Sequence, residues 1–175
     1  MPRPPSIRAE TAADIDAIAG VVAAAFNSPA EARLVSLIRA SPNFVPEWSL
    51  VAIENGHVAG HVMVSYVALE GYGPIPSLSP LAVAPDFQNR GLGGALVDAV
   101  CERVDAAGEP LVVLEGSPVY YARFGFEASA PLGIHINLPD WAPPEAAQLR
   151  RLRAYDPAVR GTVVYPPAFT EVTDH

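Results

Sequence analysis

Apolar positions recur along this 175-residue chain with two different periods, which predict its helices and strands. Apolar residues three and four apart form one helical face, whereas alternating or short continuous apolar runs are typical of strands. Helices are predicted at residues 10–26, 31–40, 90–107, 118–123 and 145–153. Strands are predicted at residues 7–9, 48–54, 57–69, 77–84, 111–114, 132–138 and 161–165.

Two turn signals connect these elements. Asn55 and Gly56 separate the second and third strands, and this dipeptide is typical of a tight hairpin, so the two strands should pair antiparallel. Pro80 lies inside the fourth strand and lacks an amide hydrogen. We therefore expect the pairing of that strand to be interrupted at Pro80.

The composition bounds the class of protein. Half of the residues are apolar and 17% are charged, which is typical of a folded globular chain with the length of one domain. The 19 acidic and 11 basic residues give a formal charge of −8. This balance argues against nucleic acids and anionic membranes as partners and favours cationic ones.

The cysteine and histidine content argues against a disulfide or a metal site. The single cysteine, Cys101, cannot form an intramolecular disulfide, and its predicted helical position is typical of a core thiol rather than of a catalytic relay. His57 and His61 lie four apart on a predicted strand, so we expect no metal ion there. No apolar run reaches the roughly 18 residues of a membrane span, and Asp14 and Asp16 lie in the first helix, so we expect a cytoplasmic protein.

Residues 81–97 contain a strand, a glycine-rich loop and the start of a helix. Glycines let the backbone approach a ligand, and the free amides of a first helical turn attract phosphate. A P-loop is excluded because the chain has no lysine. A dinucleotide fingerprint starting at Gly91 would require a glycine where the chain has Leu96. The pattern that fits is Gln-x-x-Gly-x-Gly, formed by Gln88, Gly91 and Gly93.

A second motif follows the next predicted strand, where Tyr121, Gly125 and Phe126 form Tyr-x-x-x-Gly-Phe. In this order the two motifs resemble those of the GCN5-related N-acetyltransferase (GNAT) superfamily. The resemblance covers most of residues 7–138. It implies an α/β (α+β) fold, with a mixed, mostly antiparallel sheet of about six or seven strands and helices on both faces. It also implies a splay between the fourth and fifth strands that holds acyl-CoA.

The resemblance implies acetyl-CoA as the co-substrate. In similar enzymes the amides of the glycine loop and the first helical turn hold the pyrophosphate, while pantetheine lies along the preceding strand like an additional strand. The positions that match this role are Leu81, Ala82, Val83, Gln88, Asn89, Arg90, Gly91, Leu92, Gly93 and Gly94, and Arg123 is a further candidate for the phosphates.

Acetyl transfer to an amine requires a neutral nitrogen, donors for the oxyanion and a proton for the departing thiolate. The resemblance assigns the last role to Tyr121 as general acid, with Tyr120 as its packing neighbour. Many family members carry a glutamate on the fourth strand, but residues 77–80 contain no carboxylate. An amine that is already neutral would need no base; otherwise the candidates are Glu115, Ser77 acting through water, and His61.

These features predict one N-acetyltransferase domain over residues 1–175, with a core at 7–138 and an extension at 139–175 that completes the sheet or the acceptor pocket. With Glu115 as the base and no metal ion, the expected reaction moves an acetyl group from acetyl-CoA to a primary amine by direct attack in a ternary complex. The net charge favours a small amine or a peptide amino terminus as acceptor. A homodimer is compatible with this organisation. The alternative is a non-catalytic acyl-CoA-binding regulatory module.

Overall fold

The computed structural model of the protein describes residues 5–171. Nine strands lie within these residues: β1 Ser6–Ala9, β2 Phe44–Glu54, β3 His57–Leu69, β4 Gly73–Val83, β5 Leu111–Glu115, β6 Glu127–Ala128, β7 Ile134–His135, β8 Ala147–Arg151 and β9 Gly161–Val164. The same residues contain five α-helices: α1 Ile15–Phe26, α2 Pro29–Arg39, α3 Leu92–Ala106, α4 Pro118–Ala122 and α5 Pro167–Glu171.

The strands form a mixed sheet in the order β1-β2-β3-β4-β5-β8-β6. The pairings along this path are antiparallel except that between β4 and β5, which is parallel. Off the path, β9 pairs antiparallel with β3 and parallel with β7. The expected class, an α/β (α+β) fold with a mostly antiparallel sheet, is confirmed.

Helices cover both faces of the sheet because successive residues of a strand point to opposite sides. Val62 of β3 belongs to the apolar cluster that contains Leu96 of α3. The next residue, Met63, belongs to the cluster that contains Ile18 of α1 and Ile38 of α2. The helical stripes predicted from the sequence are thus buried against opposite faces of one sheet.

The predicted turns occur where the sequence placed their signals. Asn55 and Gly56 adopt positive φ angles of 53° and 78° and join β2 to β3. Pro80 lies in β4 where the register against β3 shifts between Val62 and Val64. The missing amide of the proline accounts for this interruption of the ladder.

Two predictions for the C-terminal third are wrong. The helix predicted at 145–153 is instead a 3-10 turn, Pro144–Ala146, followed by β8. Strand β8 pairs with β5 on one edge and β6 on the other, and these two ladders outweigh the local helical preference. The strand predicted at 132–138 is reduced to β7 because the 3-10 turn Ala130–Leu132 precedes it.

The segment after residue 139 therefore contributes to the sheet and to one helical face. It supplies β8 to the sheet and pairs β9 with β3. It also supplies α5, whose Ala168 is buried in the same cluster as Ile38 of α2. These contacts bring residues late in the chain next to α2 and β4.

Candidate active site

The parallel pair β4 and β5 separates soon after it forms. Within the described residues their ladder contains one register pair, Ser77 with Val113. Further along β4, Leu81 and Val83 have no partner on β5 and border a cavity instead. This divergence corresponds to the splay between the fourth and fifth strands that the resemblance implied.

The first cavity, here called the glycine-loop cavity, has a volume of about 770 Å³. It lies between the end of β4, the start of α3 and α4. Its lining consists of Leu81, Val83, Phe87, Gln88, Asn89, Gly91, Leu92, Gly93, Gly94, Ala95, Asp98, Tyr120, Arg123 and Phe124.

The start of α3 makes this cavity suitable for an anion. Gly91 has a φ of 79°, a left-handed conformation that favours glycine, and it turns the chain into α3. The first-turn residues line the cavity, their amides lack intrahelical acceptors, and no acidic side chain lies in that turn. The side-chain amide of Gln88 donates to the Val83 carbonyl at 3.0 Å and fastens the loop to β4.

Aromatic side chains of α4 and the turn after it close the other side of the cavity. A Cβ atom at Gly93 would collide with the Tyr120 hydroxyl, and one at Gly94 would lie 2.6 Å from the Phe124 ring. The glycines therefore permit close packing as well as ligand approach. The Arg123 guanidinium lies 4.8 Å from the Tyr120 ring centroid and 5.3 Å from that of Phe124, which adds a positive charge to the lining.

Nine of the eleven residues predicted to bind a cofactor line the cavity. The other two do not: Ala82 is buried in the cluster under α1 and α2, and Arg90 forms an ion pair with Glu54 at 3.3 Å. Helical spacing from Gly91 could have identified Ala95 and Asp98, which lie four and seven residues later on the same face of α3. The lining residues that the sequence prediction lacked are Phe87, Ala95, Asp98, Tyr120 and Phe124.

The adjacent tyrosines have different surroundings. Tyr120 lines the glycine-loop cavity. Tyr121 instead packs near the end of β5, with its ring 5.7 Å from the Phe126 ring and directly against Gly116. Burial raises the pKa of Tyr121 to about 12, so its hydroxyl is protonated at neutral pH.

A second cavity, here called the carboxylate cavity, has a volume of about 440 Å³ and lies further back along β4. Ser77 to Ser79 border it, two residues before Leu81 of the first cavity, so the two cavities follow each other along one strand. Its lining comes from α2, β4, β5 and the C-terminal segment: Glu31, Leu34, Ser77, Leu78, Ser79, Glu115, Asn137, Leu138, Pro139, Tyr165, Phe169 and Thr170.

Two glutamates give this cavity its electrostatic character. Partial burial raises the pKa of Glu115, and the neighbouring Tyr165 hydroxyl lowers it in part, while the residue remains accessible from the cavity. Partial burial also raises the pKa of Glu31. The lining contains no arginine, and no ion pair of either glutamate occurs in the described part of the chain.

The alternative candidates for a base are distributed differently. Ser77 lines the carboxylate cavity and is 2% exposed. His61 lies in neither cavity: it is fully buried and its Nε2 is 2.9 Å from the Ser49 hydroxyl. Burial, together with the nearby charge of Arg39, lowers the pKa of His61 to about 3. Cys101 is also buried, and its surroundings raise its pKa to about 12, so its thiol is not a nucleophile at neutral pH.

Residues 5–171 contain no group of three or more histidine, cysteine or acidic side chains arranged to hold a metal ion. Over the same residues, no helix combines the length and apolar character that crossing a membrane requires.

Known proteins are similar to this chain in sequence. The family model described as an acetyltransferase (GNAT) domain matches residues 6–129. The uncharacterized N-acetyltransferase YhbS of Escherichia coli is 31% identical over 156 residues, covering 89% of this chain and 90% of YhbS. YjhQ of the same organism, also an uncharacterized N-acetyltransferase, is 33% identical over 120 residues, covering 67% of this chain and 66% of YjhQ.

Solved structures show the same fold. The crystal structure of YhbS from E. coli in complex with CoA superposes with a TM-score of 0.87, covering 97% of this chain and 93% of that one. A GNAT family acetyltransferase from Brucella melitensis in complex with acetyl-CoA, also 31% identical, has a TM-score of 0.77 and coverages of 95% and 98%. The chain belongs to the GNAT family of acetyltransferases.

Proposed function

We propose that this chain transfers an acetyl group from acetyl-CoA to a primary amine by direct attack in a ternary complex. The observation that carries the proposal is the succession of two cavities along β4. One is lined by the free amides at the start of a helix, and the other by carboxylates. The first suits an anionic donor and the second a cationic acceptor, and they follow each other along β4 on the side of the splay.

Acetyl-CoA binding is supported by the lining of the glycine-loop cavity. The amides from Gln88 to Gly94 would hold the pyrophosphate, with Arg123 neutralising part of its charge. The backbone of β4 at Leu81 and Val83, which is unpaired toward β5, would bind pantetheine as a neighbouring strand would. The complexes of YhbS with CoA and of the Brucella protein with acetyl-CoA support the same assignment by similarity.

The amine acceptor would enter the carboxylate cavity. It arrives as an ammonium and must lose one proton before its lone pair can attack. Glu115 lies at the end of β5 beside the splay, and the raised pKa of its carboxyl makes it a better proton acceptor than an ordinary glutamate. We assign Glu115 as the base.

The transfer step forms one bond and breaks another. The neutral nitrogen attacks the thioester carbonyl carbon, and the tetrahedral intermediate then loses its carbon–sulfur bond to give an amide and a thiolate. Glu115 passes the first proton to solvent and accepts the second from the nitrogen, while Tyr121 gives its hydroxyl proton to the thiolate and regains a proton from solvent. Its raised pKa keeps that proton in place until the thiolate forms.

The paired variants Tyr121→Phe and Tyr120→Phe test this assignment, because the two residues are adjacent and lose the same atom. We expect Tyr121→Phe to lower kcat by roughly 10²-fold or more while leaving the Kd for acetyl-CoA unchanged. Tyr120→Phe should instead weaken acetyl-CoA binding and retain kcat, since its hydroxyl lies beside Gly93 in the donor cavity.

The measurements are release of coenzyme A thiol with an amine panel, mass spectrometry of the acetylated product, and calorimetry for Kd. If the effects of the two variants are interchanged, Tyr120 is the acid. If wild-type protein binds acetyl-CoA but acetylates no amine, the transfer proposal fails and an acyl-CoA-binding regulatory role replaces it.

A further inference from the structure

The carboxylate cavity carries more negative charge than an acceptor with one amine requires. Glu115 comes from the end of β5 and Glu31 from the first turn of α2, so the two carboxylates reach the cavity from separate elements. An acidic residue in a first helical turn is favourable by itself, but that does not require its partial burial beside a cavity. If Glu115 accepts the proton of the reacting nitrogen, an acceptor with a single amine leaves the Glu31 carboxylate without a positive charge to bind.

The wall shared by the two glutamates is mainly apolar. Leu34, Leu78 and Leu138 line it, and Phe169 adds an aromatic ring. These side chains offer no hydrogen bonds, so they suit a chain of methylene groups. A cation at each end of such a chain would place its polar atoms at the carboxylates and its carbon atoms on the leucines.

One polar side chain of β4 also borders the cavity. Ser77 is 2% exposed, lines the cavity and pairs in register with Val113 of β5. A hydroxyl can both donate and accept a hydrogen bond, so this position is compatible with a bound amine.

We propose that the acceptor is a short diamine, with one amino group at Glu115 for acetyl transfer and the second, as an ammonium, bound by Glu31. This inference rests on the proposed function and adds the substrate class. Among residues 5–171, no positively charged side chain lines the cavity, which also disfavours an acceptor that carries a carboxylate.

The test compares three amines of equal chain length: 1,5-diaminopentane, 1-aminopentane and 5-aminopentan-1-ol. Wild-type protein should show a kcat/KM for the diamine roughly 10- to 100-fold above that for either compound with one amine, the range of a charge-assisted hydrogen bond. Glu31→Gln should reduce this ratio to near one through the KM of the diamine. Glu31→Asp, which keeps the charge, should restore part of it.

Glu102→Gln is the matched control, because Glu102 is exposed on α3 away from both cavities and the net charge changes equally. It should leave the ratio unchanged. A wild-type ratio near one, or an equal fall with Glu102→Gln, overturns the inference while acetyl transfer itself stands. Unfolding curves of each variant identify any loss that arises from misfolding.

A second readout separates this inference from the proposed function. The diamine is titrated by calorimetry into wild-type and Glu31→Gln protein saturated with coenzyme A. Binding that weakens roughly 10-fold or more in the variant supports the diamine site even if no acetyl group is transferred. Equal binding in the two proteins sinks the inference even if amines are acetylated.

Discussion

Two pairs of acidic residues near α1 and α2 have opposite surroundings. Glu10 accepts hydrogen bonds from Arg39 at 2.9 and 3.2 Å, and Asp14 accepts two from Arg8 at 2.7 and 3.1 Å. Both carboxylates are less than a tenth exposed. Glu31 and Glu115 face the carboxylate cavity and form no ion pair with the described residues.

The direction of the pKa shift follows from this difference. The guanidinium of Arg8 and the Thr11 amide hold the pKa of Asp14 well below its usual range. Burial without a cation raises the pKa of Glu31 and Glu115. A satisfied carboxylate stabilises the fold, whereas an unsatisfied one costs stability and is available to a ligand.

Glu10, one of the two ion-paired carboxylates, also determines which nitrogen of His61 carries a hydrogen. The Ser49 hydroxyl donates to Glu10, so the His61 Nε2 must carry the hydrogen that Ser49 accepts. The lowered pKa of His61 keeps the imidazole neutral, so its one N–H hydrogen lies on Nε2 and the buried Nδ1 carries none. Glu10, Ser49 and His61 form a structural network under α1 and α2, outside both cavities.

The largest expected effect is a loss of catalysis on changing Glu115, one of the two carboxylates that line the carboxylate cavity. Glu115→Gln keeps the size of the side chain but cannot accept a proton, so kcat should fall roughly 10²- to 10³-fold. The unfolding midpoint should change little because the residue forms no ion pair among residues 5–171. Steady-state thiol release and thermal unfolding measure the two quantities. Unaltered kcat in this variant would remove Glu115 from the chemistry.

The second effect is a loss of stability on changing Glu10, one of the two carboxylates that form an ion pair with an arginine. Glu10→Gln leaves Arg39 without its counter-charge in a partly buried site and should lower the free energy of unfolding by about 2 kcal/mol. The kcat of the folded protein should stay within about twofold, because Glu10 lines neither cavity. Urea unfolding against Glu102→Gln as control gives the difference. A loss of kcat without a loss of stability would contradict the comparison.

How far the sequence could predict these sites depends on how local they are. The glycine-loop cavity is built largely from residues 81–98, so a short motif and helical spacing identify most of its lining. The carboxylate cavity joins Glu31, Ser77, Glu115 and Tyr165 from four distant segments, and no spacing relates them. Their proximity depends on β9 pairing with β3 and on α5 packing beside α2, which are non-local contacts.

The same reasoning explains the errors in the C-terminal third. Residues 147–151 contain Gln148 and Leu149, which occur readily in helices, and the local pattern favoured a helix. The segment becomes a strand because β5 offers an open edge, and five consecutive register pairs form there. Elements that depend on local residue preferences could be predicted from the sequence. An element that forms by pairing with the edge of a distant strand, as β8 does, could not.

The third effect is on the pH dependence of stability. The folded pKa of Asp14 is lowered, so its contribution is fully present above the unfolded pKa of about 3.9 and is lost as the pH falls toward the folded value. Asp14→Asn should cost on the order of 1–2 kcal/mol at pH 7 and progressively less below about pH 4. Urea titrations from pH 7 to pH 3 measure this. A gap that is constant over that range would mean that the Arg8–Asp14 pair contributes nothing through its charge.

The smallest effect has the opposite sign and concerns Glu31. Its folded pKa is raised, so ionisation costs the folded state stability at pH 7, and that cost disappears as the pH falls below the unfolded pKa of about 4.3. Glu31→Gln should therefore raise the free energy of unfolding at pH 7 by a few tenths of a kcal/mol, since solvent screens a half-exposed group. The gain should shrink below about pH 4.3 and vanish near pH 3, where Glu31 is neutral in both the folded and the unfolded state. A higher free energy of unfolding for Glu31→Gln at pH 7, together with a lower one for Glu10→Gln, would show that the cavity carboxylate costs stability while the ion-paired one adds to it. A loss at pH 7 would mean that Glu31 has a stabilising partner and that its carboxylate is not free to hold an ammonium.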